Sequence, residues 1–310
     1  MYGSNMVRSR RRKKRLPLLI VLVFFAALGG VFLLRSPVLI VADPSFNQLY
    51  GPLRLTLQGI KASLELFRRV VPVTIAESAG PDLAALAVEG KSKSPWAVFF
   101  PFRYLEGAKF YKENHLKVPV LVTGAENQNP QEDTGLTFIN IDTALDLYRA
   151  GSCAALLAGE KKVLFFNDGN LKPEYMEAFW QGLRDQDFSG DPVYVNVSAD
   201  YSAYSEIGCV VVAGPAGKFL ERNLNIPVIL FSWINPALTP RSVKVVFDDS
   251  PWALAAEVLR GFSPGEGETL VSSAPVVLKD RIGEKDDFRN LQGIIKEKFQ
   301  KNEKKTGPES

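Results

Sequence analysis

The sequence predicts an α/β protein with two Rossmann-like lobes, each built on a parallel sheet, behind an N-terminal transmembrane helix. Short apolar runs rich in Val, Ile and Phe alternate with longer amphipathic stretches, as strands and helices do in a parallel sheet. Nine such runs follow residue 36, more than we expect in one sheet, and 310 residues are enough for two lobes. The composition, 46% apolar and 23% charged, excludes a disordered, collagen-like or coiled-coil chain.

The first predicted element is a membrane anchor at residues 16–34. This run has no charged residue and follows a basic cytoplasmic segment, residues 1–15, that carries seven Arg or Lys. A helix needs roughly 20 apolar residues to cross about 30 Å of hydrocarbon, and the cations hold its N-terminus in the cytoplasm. We therefore expect a single-pass protein of the bacterial inner membrane, with its C-terminal domain periplasmic or extracellular.

A cleaved secretory signal is the alternative for the same residues. Ala27 and Gly29 have the small-residue spacing that a signal peptidase requires. We favour the uncleaved anchor because the apolar cores of signal peptides usually run to about 7–15 residues. Both alternatives export the folded body.

The strands and helices alternate from residue 37 onwards. Candidate strands are 37–42, 73–77, 96–100, 118–123, 162–167, 193–197, 209–213, 227–232 and 243–247. Candidate helices are about 53–69, 81–90, 103–114, 143–159, 173–184, 217–223 and 251–260.

The strongest break in this pattern is the polar stretch 124–135, where we expect the chain to cross between lobes. The first lobe is then about 36–124 with returning C-terminal segments, and the second is about 143–247. Together they form a two-lobed domain at 36–283. Residues 284–310 are predicted to form a terminal amphipathic helix and a charged tail.

The charge distribution argues against a nucleic-acid partner. The whole chain has a net charge of +3, but residues 1–35 hold eight Arg or Lys and no acid, which leaves −5 on the remainder. Phosphate binding needs clustered cations on the folded surface. The basicity belongs to the N-terminus alone.

The residue inventory does not support an enzyme, a metal site or a cofactor. The single histidine, His115, rules out a multi-histidine metal site, and no GxSxG, HExxH, P-loop or GxGxxG motif is present. Cys153 and Cys209 lack the spacing of a zinc or redox site. They are predicted to be buried small apolar residues, with a single disulfide between them as the alternative.

Three segments of the chain form a recognisable series. They are 38–51 (VLIVADPSFNQLYG), the pair 149–158 and 162–169 (RAGSCAALLA and KVLFFNDG), and 276–280 (VVLKD). In their order and spacing they resemble the basic membrane lipoprotein family of type I periplasmic substrate-binding proteins, which includes purine-nucleoside receptors. Over about 37–283, the resemblance implies a nucleoside-like or nucleobase-like ligand, a ligand-facing Lys279 and an ABC-type permease as partner.

The loop after the first strand is a candidate ligand site. Ligands of parallel-sheet lobes bind beyond the carboxyl ends of the strands, where Asp43, Phe46 and Asn47 lie. Phe46 offers a flat face for stacking, and Asp43 and Asn47 offer hydrogen-bonding groups for a polar ring edge. Alternatively, Phe46 packs at a helix entry while Asp43 and Asn47 cap a turn.

In the second lobe, the candidate ligand-binding residues are Asp168, Gly169 and Trp233. Asp168 and Gly169 lead from a strand to a helix that begins near Pro173, whose free N–H groups could bind a ligand oxygen. A plain turn before a helix is the alternative. Trp233 follows a buried strand, where it would either line the ligand site or pack in the core.

The chain departs from the nucleoside-binding pattern at several places. Ser232 to Asn235 contains no carboxylate to hold ribose hydroxyls, and Thr123-Gly124 lacks another expected acid. We expect a membrane-anchored solute-binding protein for a small polar ligand. The alternative is an interaction protein that kept this fold as a scaffold without a ligand.

Overall fold

The computed structural model describes residues 21–44, 57–76, 79–124, 135–167, 171–190, 192–196, 206–213, 225–231, 242–261 and 269–278. Within these residues the chain forms two six-stranded sheets, in which all strand pairs but one are parallel. The predicted α/β class with two mostly parallel sheets is confirmed.

The first sheet has the strand order β11-β5-β4-β3-β1-β2. Its strands are β1 (Val38–Ala42), β2 (Val70–Thr74), β3 (Ala97–Pro101), β4 (Val120–Thr123), β5 (Thr137–Ile141) and β11 (Thr269–Ser272). Its helices are α1 (Leu57–Leu66), α2 (Pro81–Lys91), α3 (Leu105–Asn114) and α6 (Pro251–Gly261).

Helices cover both faces of the first sheet, which explains its uninterrupted apolar strands. Val38 and Ile40 of β1 pack with α1 and α6, whereas Leu39 and Val41 pack with α2 and α3. All five residues of β1 are buried. A strand buried on both faces has no polar side, so it shows a continuous apolar run without alternation.

The second sheet has the strand order β12-β10-β9-β8-β6-β7. Its strands are β6 (Lys162–Asn167), β7 (Val193–Asn196), β8 (Ile207–Ala213), β9 (Val228–Phe231), β10 (Val243–Phe247) and β12 (Val276–Leu278), and β12 pairs antiparallel with β10. Helices α4 (Thr143–Ala158) and α5 (Pro173–Arg184) pack together against one face, around Phe165 and Phe179.

The chain passes between the sheets at residue 142, at 248–250 and at 273–275. We call these segments the three crossings. The first does not lie in 124–135, as the sequence analysis expected, because β5 follows that stretch and pairs with β4 in the first sheet. The polar composition of 124–135 marks a connection within one lobe.

One strand differs from its predicted position, and another was not predicted. The second strand runs over Val70–Thr74 and contains Pro72, whereas the sequence predicts it after that proline. Proline is tolerated there because β2 is the edge strand of its sheet. Strand β11, only four residues long, was not predicted.

The N-terminal helix occupies residues 21–34 of the predicted anchor, whose residues 16–20 lie outside the described part of the chain. Its apolar side chains are largely exposed, among them Phe24, Phe25 and Leu34. None of the helices in the described residues is long and apolar enough to span a bilayer. The transmembrane helix is therefore not shown by the structure.

The small residues of α4 allow it to approach α5 closely. An added Cβ on Gly151 would lie 2.2 Å from the carbonyl oxygen of Phe179, and one on Gly182 would lie 2.0 Å from that of Tyr148. Ser152 Oγ also donates to the carbonyl oxygen of Gly182 at 3.2 Å. Helix packing thus accounts for the AGSCAA stretch that contributes to the family resemblance.

We predict that Gly182→Ala lowers the free energy of unfolding by about 2 kcal/mol or more, because the methyl group meets backbone on the facing helix. Gly90→Ala is the matched control, since its added Cβ has nothing within 4 Å in α2. There alanine should raise stability by about 0.5–1 kcal/mol through helix propensity. Urea unfolding of both variants measures the difference, and equal effects would contradict the close approach.

Candidate functional site

The three crossings make the carboxyl ends of the two sheets face each other. Strands β5 and β11 leave the first sheet at their carboxyl ends, and β10 leaves the second sheet at its own. Strand β5 leads into α4, β11 into β12 and β10 into α6. Each of these three segments begins at the carboxyl edge of the opposite sheet. Helices α4 and α6 run antiparallel to the strands that follow them, and β12 starts beside Phe247 at the carboxyl end of β10. The predicted position of the site, beyond these strand ends, therefore lies between the two lobes.

At the first-sheet edge, three residues form a charged cluster that we call the Asp43 cluster. Asp43 follows β1 and is fully buried. Its Oδ2 accepts a hydrogen bond from Tyr104 Oη at 2.7 Å and lies 2.8 Å from Arg103 Nη1. The two partners hydrogen-bond and neutralise a carboxylate that would otherwise be costly to bury.

The strand register explains why these residues meet. Strands β1 and β3 are parallel neighbours, with Ile40 opposite Phe99, so their carboxyl ends lie side by side. Asp43 follows the first strand, and Arg103 and Tyr104 sit in the short 3-10 turn that follows the second. Arg103 Cζ also lies 5.3 Å from the centroid of the Tyr104 ring, which limits the positions open to the guanidinium.

Of the predicted ligand-binding residues, only Asp43 belongs to the described part of the chain. It lies at the predicted edge, but its side chain is only 1% exposed and it contacts protein groups. Its role toward a ligand therefore stays a prediction. The predicted site residues outside the described residues are Phe46, Asn47, Asp168, Gly169, Trp233 and Lys279.

Arg103 is not among the predicted site residues, although it is the most exposed charged residue of this cluster, at 44% of its side chain. A signal was present, because Arg103 follows the apolar strand AVFFP as Asp43 follows VLIVA. Opposite charges after two strands that neighbour each other in a parallel sheet can pair. That neighbour relation comes from the strand order, which the sequence does not state.

Buried hydrogen bonds, which we call the crossing network, join the second and third crossings to helix α4, which begins directly after the first crossing. Ala274 N, in the third crossing, donates to both carboxylate oxygens of Asp146 in α4, at 3.1 and 3.2 Å. Arg149 Nη1 donates to the Ala274 carbonyl oxygen at 3.3 Å. Asp248 N of the second crossing donates to Pro275 O at 2.8 Å.

Burial disfavours the charged form of Asp146 and is the largest cause that raises its pKa from 3.8 to about 8. The Ala274 N–H and Arg149, at 3.7 Å, act in the opposite direction, while Asp249 and Asp142 add to the rise. A folded-state pKa above the unfolded value means that folding takes up a proton between those two values. Asp146 therefore contributes less stability as pH rises from about 4 to about 8.

We predict that this pH dependence disappears in Asp146→Asn, whose amide oxygen still accepts from Ala274 N. Relative to that variant, the wild-type free energy of unfolding should fall as pH rises from about 4 to about 8 and level off above. Chemical unfolding at a series of pH values measures the difference, and parallel curves would refute the assignment. Asp146→Ala, which leaves the buried Ala274 N–H without its acceptor, should be about 1–3 kcal/mol less stable than Asp146→Asn at every pH.

A second prediction concerns the Asp43 cluster. Tyr104→Phe removes a donor from a buried carboxylate and should lower the free energy of unfolding by about 1.5–3 kcal/mol. Tyr148→Phe is the control, because Tyr148 Oη donates to Asp185 Oδ2 at the same distance, 2.7 Å, on the protein surface. It should cost less than about 1 kcal/mol, and similar losses in the two variants would show that burial does not strengthen the Tyr104 bond.

The two cysteines and the histidine are packed or paired within the protein. Cys153 and Cys209 are free thiols buried in the second-sheet core, and burial raises the pKa of Cys153 to about 12. His115 follows the end of α3, stacks on Tyr111 and lies 2.8 Å from Glu89 Oε1. Over the described residues, no group of three or more His, Cys, Asp or Glu could hold a metal ion.

Comparison of the whole fold finds similar solved structures. An ABC transporter system solute-binding protein from Conexibacter woesei DSM 14684 aligns with a TM-score of 0.61 and 12% identity, covering 86% of this chain and 97% of that one. A transcriptional activator of the comK gene from Bacillus halodurans aligns with a TM-score of 0.55 and 13% identity, covering 85% and 99%. At these identities the likeness concerns fold, and neither protein is named as an enzyme.

No protein-family model matches the chain, and no curated protein matches it in sequence. The fold therefore rests on structure. Two mostly parallel sheets, three crossings and facing carboxyl edges give this chain the type I periplasmic-binding-protein fold.

Proposed function

We propose that this chain is an extracytoplasmic solute-binding protein that holds a small polar ligand between its two lobes and delivers it to an ABC-type permease. The observation that carries the proposal is the Asp43 cluster, a fixed and partly exposed charged group at a strand edge that faces the second lobe. Polar groups held at such edges orient ligands in open α/β sheets. The likeness in fold to a solute-binding protein supports the proposal.

The proposal includes a membrane anchor at residues 16–34. The basic segment before it and the exposed apolar side chains of residues 21–34 support this part. Phe32 and Arg35 contact the ring of Phe67, which links the end of this helix to the loop after α1. The folded body would then stand directly on the membrane surface.

The finer assignment to the basic membrane lipoprotein family, with a nucleoside-like or nucleobase-like ligand, is also part of the proposal. It rests on the order of the motifs in 37–283. Helix packing accounts for one of them, the AGSCAA stretch, so the loop at 43–47 carries more weight for the ligand. A flat polar ligand would suit a site that combines Phe46 with a fixed charged group.

A ligand-free scaffold or interaction protein is the second candidate, and one observation favours it. The Asp43 carboxylate already has Arg103 and Tyr104 as partners without any ligand. A site whose acid is satisfied within the protein can persist after ligand binding is lost. The two candidates differ in whether any small molecule stabilises the protein.

One preparation tests both the ligand and the anchor. Full-length protein should remain with membranes after carbonate extraction, whereas a soluble form that starts near Gly30 would show a cleaved signal. The detergent-solubilised protein is then melted with nucleosides, bases, sugars and amino acids at millimolar concentration. A ligand at a hundredfold excess over Kd adds about 2.7 kcal/mol of stability.

We expect a melting shift with a nucleoside-like or other flat polar compound. Mass spectrometry of the untreated preparation detects any ligand that co-purifies. If no compound shifts the transition and none co-purifies, the scaffold function replaces the receptor function.

A further inference from the structure

We propose that Arg103 is the residue that determines ligand specificity at the first-sheet edge, and that it takes a ligand edge with two adjacent hydrogen-bond acceptors. A carboxylate has such an edge, and so does the O6/N7 side of a 6-oxopurine. This inference rests on the proposed function, because it describes the ligand that the same site would hold.

The geometry puts the cation, and not the acid, within reach of a ligand. The Asp43 side chain is 1% exposed and that of Arg103 is 44% exposed, with 2.8 Å between Oδ2 and Nη1. A molecule approaching this edge therefore meets the guanidinium before the carboxylate. Asp43 and Tyr104 act as positioning residues, because they hold the arginine at the strand end.

Among the described residues, the other ion-paired arginines lack this combination of a buried carboxylate partner and an exposed guanidinium; Arg260, for example, pairs with Glu65, which is itself partly exposed. Arg149 is held by a buried acid, Asp146, but its own side chain is only 8% exposed. Arg184 is 51% exposed, yet its partner Glu177 is also at the surface and leaves it less constrained. In Arg103 a buried carboxylate fixes a guanidinium that remains accessible.

The chemistry of a guanidinium sets the class of ligand. Arginine has five N–H donors in a planar fork and no acceptor, so it binds paired acceptors such as a carboxylate. The same fork pairs with O6 and N7 of guanine. A 6-aminopurine or a carboxamide places an N–H group where an acceptor is needed, and its donor faces the donors of Arg103.

The test uses two pairs of probes with the detergent-solubilised full-length protein. Inosine and adenosine form the purine pair, and succinate and succinamide form the carboxylate pair. Titration calorimetry gives the affinity of each compound, and the pair that binds identifies the source of the acceptors. We expect the acceptor-bearing member of one pair to bind about 10-fold or more tightly than its partner, as for a bidentate base contact.

Arg103→Lys is the informative variant, because lysine keeps a cation beside buried Asp43 and lacks the planar fork. It should reduce the preference to within about 2-fold while the ligand-free melting transition stays cooperative. Arg184→Lys is the matched control and should leave the preference unchanged. A merely structural role for Arg103 would lower stability without changing the ratio between paired probes.

Three results would overturn the inference. If adenosine, succinamide or a neutral sugar binds and the acceptor-bearing probes have no advantage, the proposed function stands and Arg103 does not set specificity. The same holds if Arg103→Lys leaves the preference intact. If no compound in either pair or in the wider panel binds, both this inference and the receptor function fail.

Discussion

The hydrogen bonds between Asp146 and Ala274 fix the third crossing to the start of α4, directly after the first crossing. Both oxygens of a buried carboxylate accept one backbone N–H from the third crossing, and Arg149 binds the carbonyl oxygen of the same residue. Asp248 then joins the second crossing to the third through Pro275. Because each crossing leaves a strand at its carboxyl end, these contacts lie beside the edges that face each other. The position of a ligand site follows from that arrangement.

The second constraint is the burial of two acidic side chains, one in the crossing network and one at the candidate ligand site. Asp146 and Asp43 are both buried, but their environments differ. Asp146 accepts from a backbone amide and lies 3.7 Å from Arg149, and burial raises its pKa. Asp43 meets a guanidinium and a phenol at hydrogen-bond distance. The first acid is suited to joining chain segments, and the second to holding a cation at the site.

The sequence predicted those strands and helices whose pattern is visible in consecutive residues. Runs such as VLIVA and VLFF are apolar throughout because their side chains are buried on both faces of a sheet, and this feature is visible without a structure. It did not predict the four-residue strand β11 or the assignment of β5 to the first sheet, since both depend on pairing with distant strands. At the site, Asp43 could be found from its place after a strand. Arg103 could not, because its pairing depends on β1 and β3 being neighbours.

The most direct test of this account is amide hydrogen exchange at Ala274 in the full-length protein. If the crossing network holds the lobes, the Ala274 N–H should exchange orders of magnitude more slowly than an unstructured amide, despite lying in a three-residue connection. Asp146→Ala should remove that protection while amides of β1 and β8 keep theirs. Exchange of the wild-type Ala274 amide at the rate of an open loop would contradict the account.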